Sequence, residues 1–151
     1  PRELAPAKLN AIYYGYNKPK VDKFIESFKN GLRDYTLQEK GAIKLHFKRF
    51  VEQLEYPKFA GMIKDYKVVS TFITSNVNEV GNYMLDKYDA DIAIMVNLEY
   101  KVVSFRKKRG VQLNLGKLAE KLCDGGGSHI LAGGKLTATF ANFTKTLTPI
   151  S

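Results

Sequence analysis

The chain is poor in the residues that hold soft metals and crosslinks. It has one cysteine, Cys123, and two histidines, His46 and His129, in 151 residues. A lone cysteine forms no internal disulfide and fits a reducing, cytoplasmic setting. Three such residues are also too few for a soft-ligand metal site. No apolar run nears the roughly 20 residues that cross a bilayer, and nothing reads as a signal peptide, so no membrane partner is expected. Acidic residues are scarce as well, 15 against 24 lysines and arginines. The resulting formal charge of +9 favours an anionic partner, with nucleic acid or phosphate the usual ones. The chain opens on Pro1 rather than methionine, which suggests a fragment or processed form.

What is present divides into two textures. "NKPKVDKFIESFKNG" carries Val21, Phe24, Ile25 and Phe28 at helical spacing, with Pro19 ahead and Gly31 behind. "TLQEKGAIKLHFKRFVEQLEYP" follows. Thr36 and Glu39 have capping-box spacing, Ile43, Phe47, Phe50, Val51 and Leu54 mark one face, and Pro57 ends the pattern. Residues 1–61 therefore read as a helical segment. His46 falls off the apolar face and reads as a surface residue. Tyr13, Tyr14 and Tyr16, near Arg2, Lys8 and Lys18, read as packing residues ahead of a possible base-stacking role.

Residues 62–151 read as an α/β domain. "YKVVSTFIT" is β-branched, Asn76 and Glu79 open a helix bearing Val77, Val80, Met84 and Tyr88, and "DIAIMV" is a continuously apolar strand. This is a βαβ unit, which predicts that Val68–Thr74 and Ile92–Val96 are parallel neighbours. "YKVVSFRKKRG" predicts a strand returning beside Ile92–Val96 as a hairpin. Leu115, Leu118, Ala119 and Leu122 give a short helix capped by Asn114. "KLTATF" predicts a closing strand in which Leu136, Ala138 and Phe140 alternate with polar residues.

"LCDGGGSHILAGGK" puts five glycines and His129 into fourteen positions. Glycine forfeits the most backbone entropy on folding, so three in a row imply a special backbone task. One task is to present N–H groups of Gly125, Gly126 and Gly127 to a phosphate, with Ser128 and His129 adding donors. The other is a tight helix-to-strand connection. Spacing alone leaves the two even. "SFRKKRG" weighs on the first side. Arg106 shares a strand face with Ser104, and a guanidinium fixed on a strand suits bidentate phosphate recognition. Lys108 and Arg109 read as a solvated tip. Asp89 and Asp91, at the mouth of the apolar strand, read equally as solvation or function. Cys123 reads as a small packing residue.

"VVSFRKK", a linker, and "NLGKLAEKLCDGGGSHILAGG" together resemble the C-terminal, DHH-associated domain of the DHH phosphoesterase superfamily. That domain has a strand ending in Ser-x-Arg-Ser, a short helix, a glycine-rich loop with His and an Ala-Ala-Gly-like turn. Ser104, Arg106, Gly125–Gly127, His129 and Ala132–Gly134 match those features, and "NVNEVGNYML" and the helical stretch before it fit as well. Lys107 stands where the family usually has Ser, and Ser128 where a fourth glycine is common. The resemblance implies a small mixed β-sheet with flanking helices, reached through a helical linker. It implies a substrate-binding role for Ser104, Arg106, Gly125, Gly126, Gly127, Ser128 and His129. It also implies Mn²⁺ or Mg²⁺ in an N-terminal DHH domain, whose Asp-His-His triplet this chain lacks. The implied partners are a nucleotide, an oligonucleotide or single-stranded nucleic acid, and the DHH domain, with a homodimer compatible. On that reading this chain binds no metal and catalyses nothing alone. The competing reading is a stand-alone nucleic-acid-binding module.

Overall fold

The computed structural model describes residues 34–150. The expected helix across Val21–Phe28 and the tyrosines at 13, 14 and 16 lie outside them. The chain divides into two compact units, residues 1–51 and 52–151.

Helix α1 (Leu37–Gln53), which begins in the first unit, starts as its capping-box spacing predicts. The Glu39 amide donates to Thr36 Oγ1 at 3.2 Å, and the Thr36 hydroxyl donates to Glu39 Oε1 at 3.1 Å. Those contacts satisfy a helix-end N–H that has no partner within the helix.

The second unit is a mixed seven-stranded sheet flanked by helices, so the expected α/β class holds. Its elements are β1 (Lys58–Ile63), β2 (Tyr66–Phe72), α2 (Val77–Lys87), β3 (Ile92–Asn97) and β4 (Val102–Lys107), then α3 (Leu115–Cys123), β5 (Gly126–Gly127), β6 (Leu131–Lys135), α4 (Ala138–Thr144) and β7 (Thr148–Pro149). The spatial order is β5-β6-β4-β3-β2-β1-β7. β2 and β3 run parallel with Val68 opposite Ile92, as the βαβ reading predicts, and every other pair is antiparallel. Every residue of β3 from Ile92 to Val96 is buried, as a strand covered on both faces requires.

Alternation along β4 separates the two faces. Val103 and Phe105 are fully buried in a core with Ile92, Ile94, Leu115, Ala119 and Phe140, and the Phe105 and Phe140 rings meet edge to face at 6.4 Å. Edge-to-face pairing suits the ring quadrupoles. On the other face, a side chain added at Gly81 of α2 would meet Arg106 and Met95, so α2 covers that side.

Two elements differ from expectation. The sheet begins at Lys58, in β1, upstream of the 61/62 boundary read from composition. And "KLTATF" is not a strand. β6 comes earlier, through Ala132–Gly134, and Thr137 caps α4 by accepting from the Phe140 amide at 3.1 Å. Leu136, Ala138 and Phe140 fit a two-residue period, but the Thr137 hydroxyl caps a helix that starts at Ala138, and the cap decides.

Candidate phosphoester-binding cleft

Register builds the site. Residues directly opposite each other in a sheet present side chains to the same face. Met95 faces Ser104, Ser104 faces Gly133, and Gly133 faces Gly126. The sheet face under α2 therefore continues from Ser104 into a floor without side chains at Gly133 and Gly126. A Cβ on Gly126 would meet nothing within 4 Å. Ala93, Arg106 and Leu131 form the next row. Arg106 thus stands beside the bare floor, at the end of β4.

Its guanidinium is positioned by neutral groups. Nε and Nη2 donate to Asn78 Oδ1 at 3.1 and 3.0 Å, and Nη1 donates to the Phe105 carbonyl at 2.8 Å. Of the five N–H groups a guanidinium carries, those three contacts leave two without a partner among the described residues. Burial pulls the Arg106 pKa below its ordinary value, and no carboxylate among the described residues pairs with it. Asn78 was not singled out by the sequence reading. The signal was available in "NVNEVGNY", where Asn78 and Asn82 lie four apart, on one helix face, with Gly81 between them.

Around the strand end lies a cleft of about 490 Å³ lined by Asn82, Arg106, Lys107, Lys108, Arg109 and His129, and its lining includes no carboxylate. The structure therefore brings Arg106 and His129 together. Arg106 and Lys107 point to opposite faces of β4, yet both reach a cleft that wraps the strand end. Lys108 is not a free solvated tip. Its ammonium meets Asp89 at 2.6 Å, and that hydrogen bond holds the Asp89 carboxyl below its usual range. Asp91 is occupied too, its carboxylate accepting from the Lys67 amide at 2.8 Å. Both aspartates serve the mouth of β3.

The glycine loop is used differently from a row of free donors. The Gly125 N–H goes to the Ala119 carbonyl at 3.1 Å. A Cβ there would sit 2.1 Å from the Gly133 oxygen, and one at Gly134 would sit 2.6 Å from the Cys123 oxygen. Gly127 has φ +142° and pairs with Ala132. The Ser128 hydroxyl donates to the Leu131 carbonyl at 3.2 Å and accepts from the Ile130 and Leu131 amides. Gly125, Gly127 and Ser128 are therefore committed to packing the α3–β5–β6 turn. Gly126 is the glycine whose side faces open space.

Cys123 is buried, and burial, then Asp124, pushes its thiol up to about 11. Native Cys123 should be alkylated by iodoacetamide at pH 8 at least ~10-fold more slowly than the unfolded chain, because the thiolate is the nucleophile. Equal rates in the two states would contradict its placement.

No family model matches the chain, and no curated protein does. Solved structures do. A pGpG-specific phosphodiesterase, PggH, from Vibrio cholerae aligns with TM-score 0.57 at 16% identity, over 86% of this chain and 48% of that one. An exopolyphosphatase-related protein from Bacteroides fragilis aligns with TM-score 0.48 at 16% identity, over 86% and 42%. An uncharacterized protein from Helicobacter pylori G27 gives 0.46 at 16% identity, over 84% and 37%. This chain shares a fold with part of a phosphodiesterase. It spans less than half the length of each of these proteins. Among the described residues no three His, Cys, Asp or Glu side chains cluster to hold a metal, and no helix is long and apolar enough to cross a membrane.

Proposed function

We propose that this chain is the substrate-binding, DHH-associated part of a phosphoesterase, gripping the phosphate and nucleotide of a small phosphodiester or short single strand. The observation that carries the reading is the pair of Arg106 N–H groups that have no partner among the described residues. A partly buried guanidinium, oriented by Asn78 and a carbonyl, keeps two N–H groups for an oxyanion in a cleft without carboxylates. The fold shared with a phosphodiesterase supports the same class of ligand.

In this reading Arg106 pairs with phosphate and His129 donates a second hydrogen bond. Ser104 and the open face of Gly126 form the floor. Gly125, Gly127 and Ser128 shape the turn that holds His129. Manganese or magnesium chemistry would belong to a DHH domain, as the family resemblance implies. A reducing compartment such as the cytoplasm suits the single buried thiol.

Incubated with manganese and a dinucleotide or short oligonucleotide, the chain alone should bind and leave the phosphodiester intact. Metal-dependent turnover would overturn the reading. The exposed Arg109 keeps a second reading open, a nucleic-acid-binding module. The two differ in salt and length. A phosphate pocket saturates with AMP and responds modestly to salt, whereas a backbone binder gains affinity with strand length and loses it steeply with salt.

A further inference from the structure

Lys107 breaks the family pattern, and its surroundings give it a defined task. From the face of β4 opposite Arg106, its ammonium donates to the Val111 carbonyl at 2.8 Å and to the Leu113 carbonyl at 2.9 Å, and it lies in hydrogen-bond contact with Nδ1 of His129. An ammonium has three donors and no acceptor. All three are therefore matched, and the third can be matched only if Nδ1 of His129 carries no proton. Turning the ring over would set a C–H against the ammonium and leave one donor without an acceptor.

We infer that Lys107 is a positioning residue that holds His129 in the Nε2–H tautomer and so fixes which nitrogen meets the ligand. This deepens the phosphoester reading and rests on it for the identity of the ligand. The two ring nitrogens diverge, so Nε2–H points away from the lysine. His129 is exposed and lines the cleft, and its carbonyl accepts the Leu115 amide at 3.1 Å, which ties its backbone to the start of α3. The ring offers an anion one neutral N–H donor. The positive charge at this end of the cleft stays on Lys107, whose ammonium is fixed by carbonyls and not free to follow a ligand. A doubly protonated ring and the Lys107 contact exclude each other. Lys107 thus acts on the ligand chiefly through His129, whereas Arg106, on the other face, acts directly.

The wild-type chain gives the first test, with no substitution needed. Long-range ¹H–¹⁵N spectra of the imidazoles at neutral pH should show His129 with a bare Nδ1 and a protonated Nε2, and His46 supplies the comparison within the same spectrum. An Nδ1–H or imidazolium signature for His129 overturns the inference. Lys107→Met should then mix the tautomers, while Lys107→Arg, which keeps charge and donors, should hold the bare Nδ1. An unchanged tautomer in Lys107→Met overturns it as well. Titration with AMP and inorganic phosphate reads the consequence. Lys107→Met should weaken AMP binding about 5-fold, the scale of one neutral hydrogen bond. In a His129→Gln background the same change should cost clearly less than in the wild type, and fully additive losses would overturn the positioning role. If Lys107→Met shifts the tautomer but the wild-type chain binds neither probe, the tautomer assignment stands and the phosphoester reading falls.

Discussion

Arg106→Ala is expected to weaken binding of AMP or a short oligonucleotide by about 10- to 100-fold, the scale of a lost hydrogen-bonded charge at roughly 1.5–3 kcal/mol. The effect should be large because burial has already removed part of the guanidinium's water. It should also be specific, because Asn78 and the Phe105 carbonyl fix the fork before any ligand arrives. Arg106→Lys should recover little. One ammonium cannot hold Asn78, hold the carbonyl and still present a planar pair of donors. Asn78→Ala should fall between, losing orientation and keeping charge. Isothermal titration against AMP, alongside a thermal melt showing an intact fold, decides it. An Arg106→Ala variant that binds like wild type would remove the basis of the proposed function.

The second large effect concerns stability, and it separates two neighbouring glycines. Gly125→Ala places a methyl 2.1 Å from the Gly133 oxygen and 2.5 Å from the Gly134 Cα, both backbone atoms with little freedom to retreat. We expect a loss of about 3 kcal/mol or more, at or beyond the upper end of core overpacking, and a melting temperature lower by roughly 10–20 °C. Gly126→Ala meets nothing within 4 Å and has no positive φ, so its stability should change by no more than about 0.5 kcal/mol. Its methyl would instead stand on the open floor, across Gly133 from Ser104, so AMP binding should weaken while the fold holds. Equal melting temperatures for the two variants would refute the account of the turn.

This contrast also marks what could be read from the sequence. Period and patterning gave β2, β3, β4, α2 and α3, because those elements bury one face or two and write that burial into the spacing of Val, Ile, Leu and Met. The Asn114 and Thr36 caps were legible because capping needs particular side chains at particular offsets. β1 escaped because Gly61 and Lys58 dilute its pattern, and Gly61 is there to admit Leu147, a contact 86 residues away. The closing segment was misread because alternation of Leu136, Ala138 and Phe140 was weighed ahead of the Thr137 cap. The glycine run was left undecided for a related reason. Whether a bare Cα faces a ligand or another strand depends on what folds against it, and here Gly133 and Gly134 arrive from the far side of the turn. Arg106 and His129 were legible as chemistry, but the Lys107 link between β4 and His129 requires a register that no spacing rule supplies.

The two ends of the sheet have a consequence for assembly. One edge is the two-residue strand Gly126–Gly127 and the other the two-residue strand Thr148–Pro149. Proline has no N–H to lend a neighbour, and a strand this short presents hardly any unpaired backbone. Among the described residues, these two outermost strands themselves therefore give another chain little to extend. A strand added from another chain would have to reach past them to the longer strands just inside, and β7 pairs with β1 only at Phe59 and Ala60.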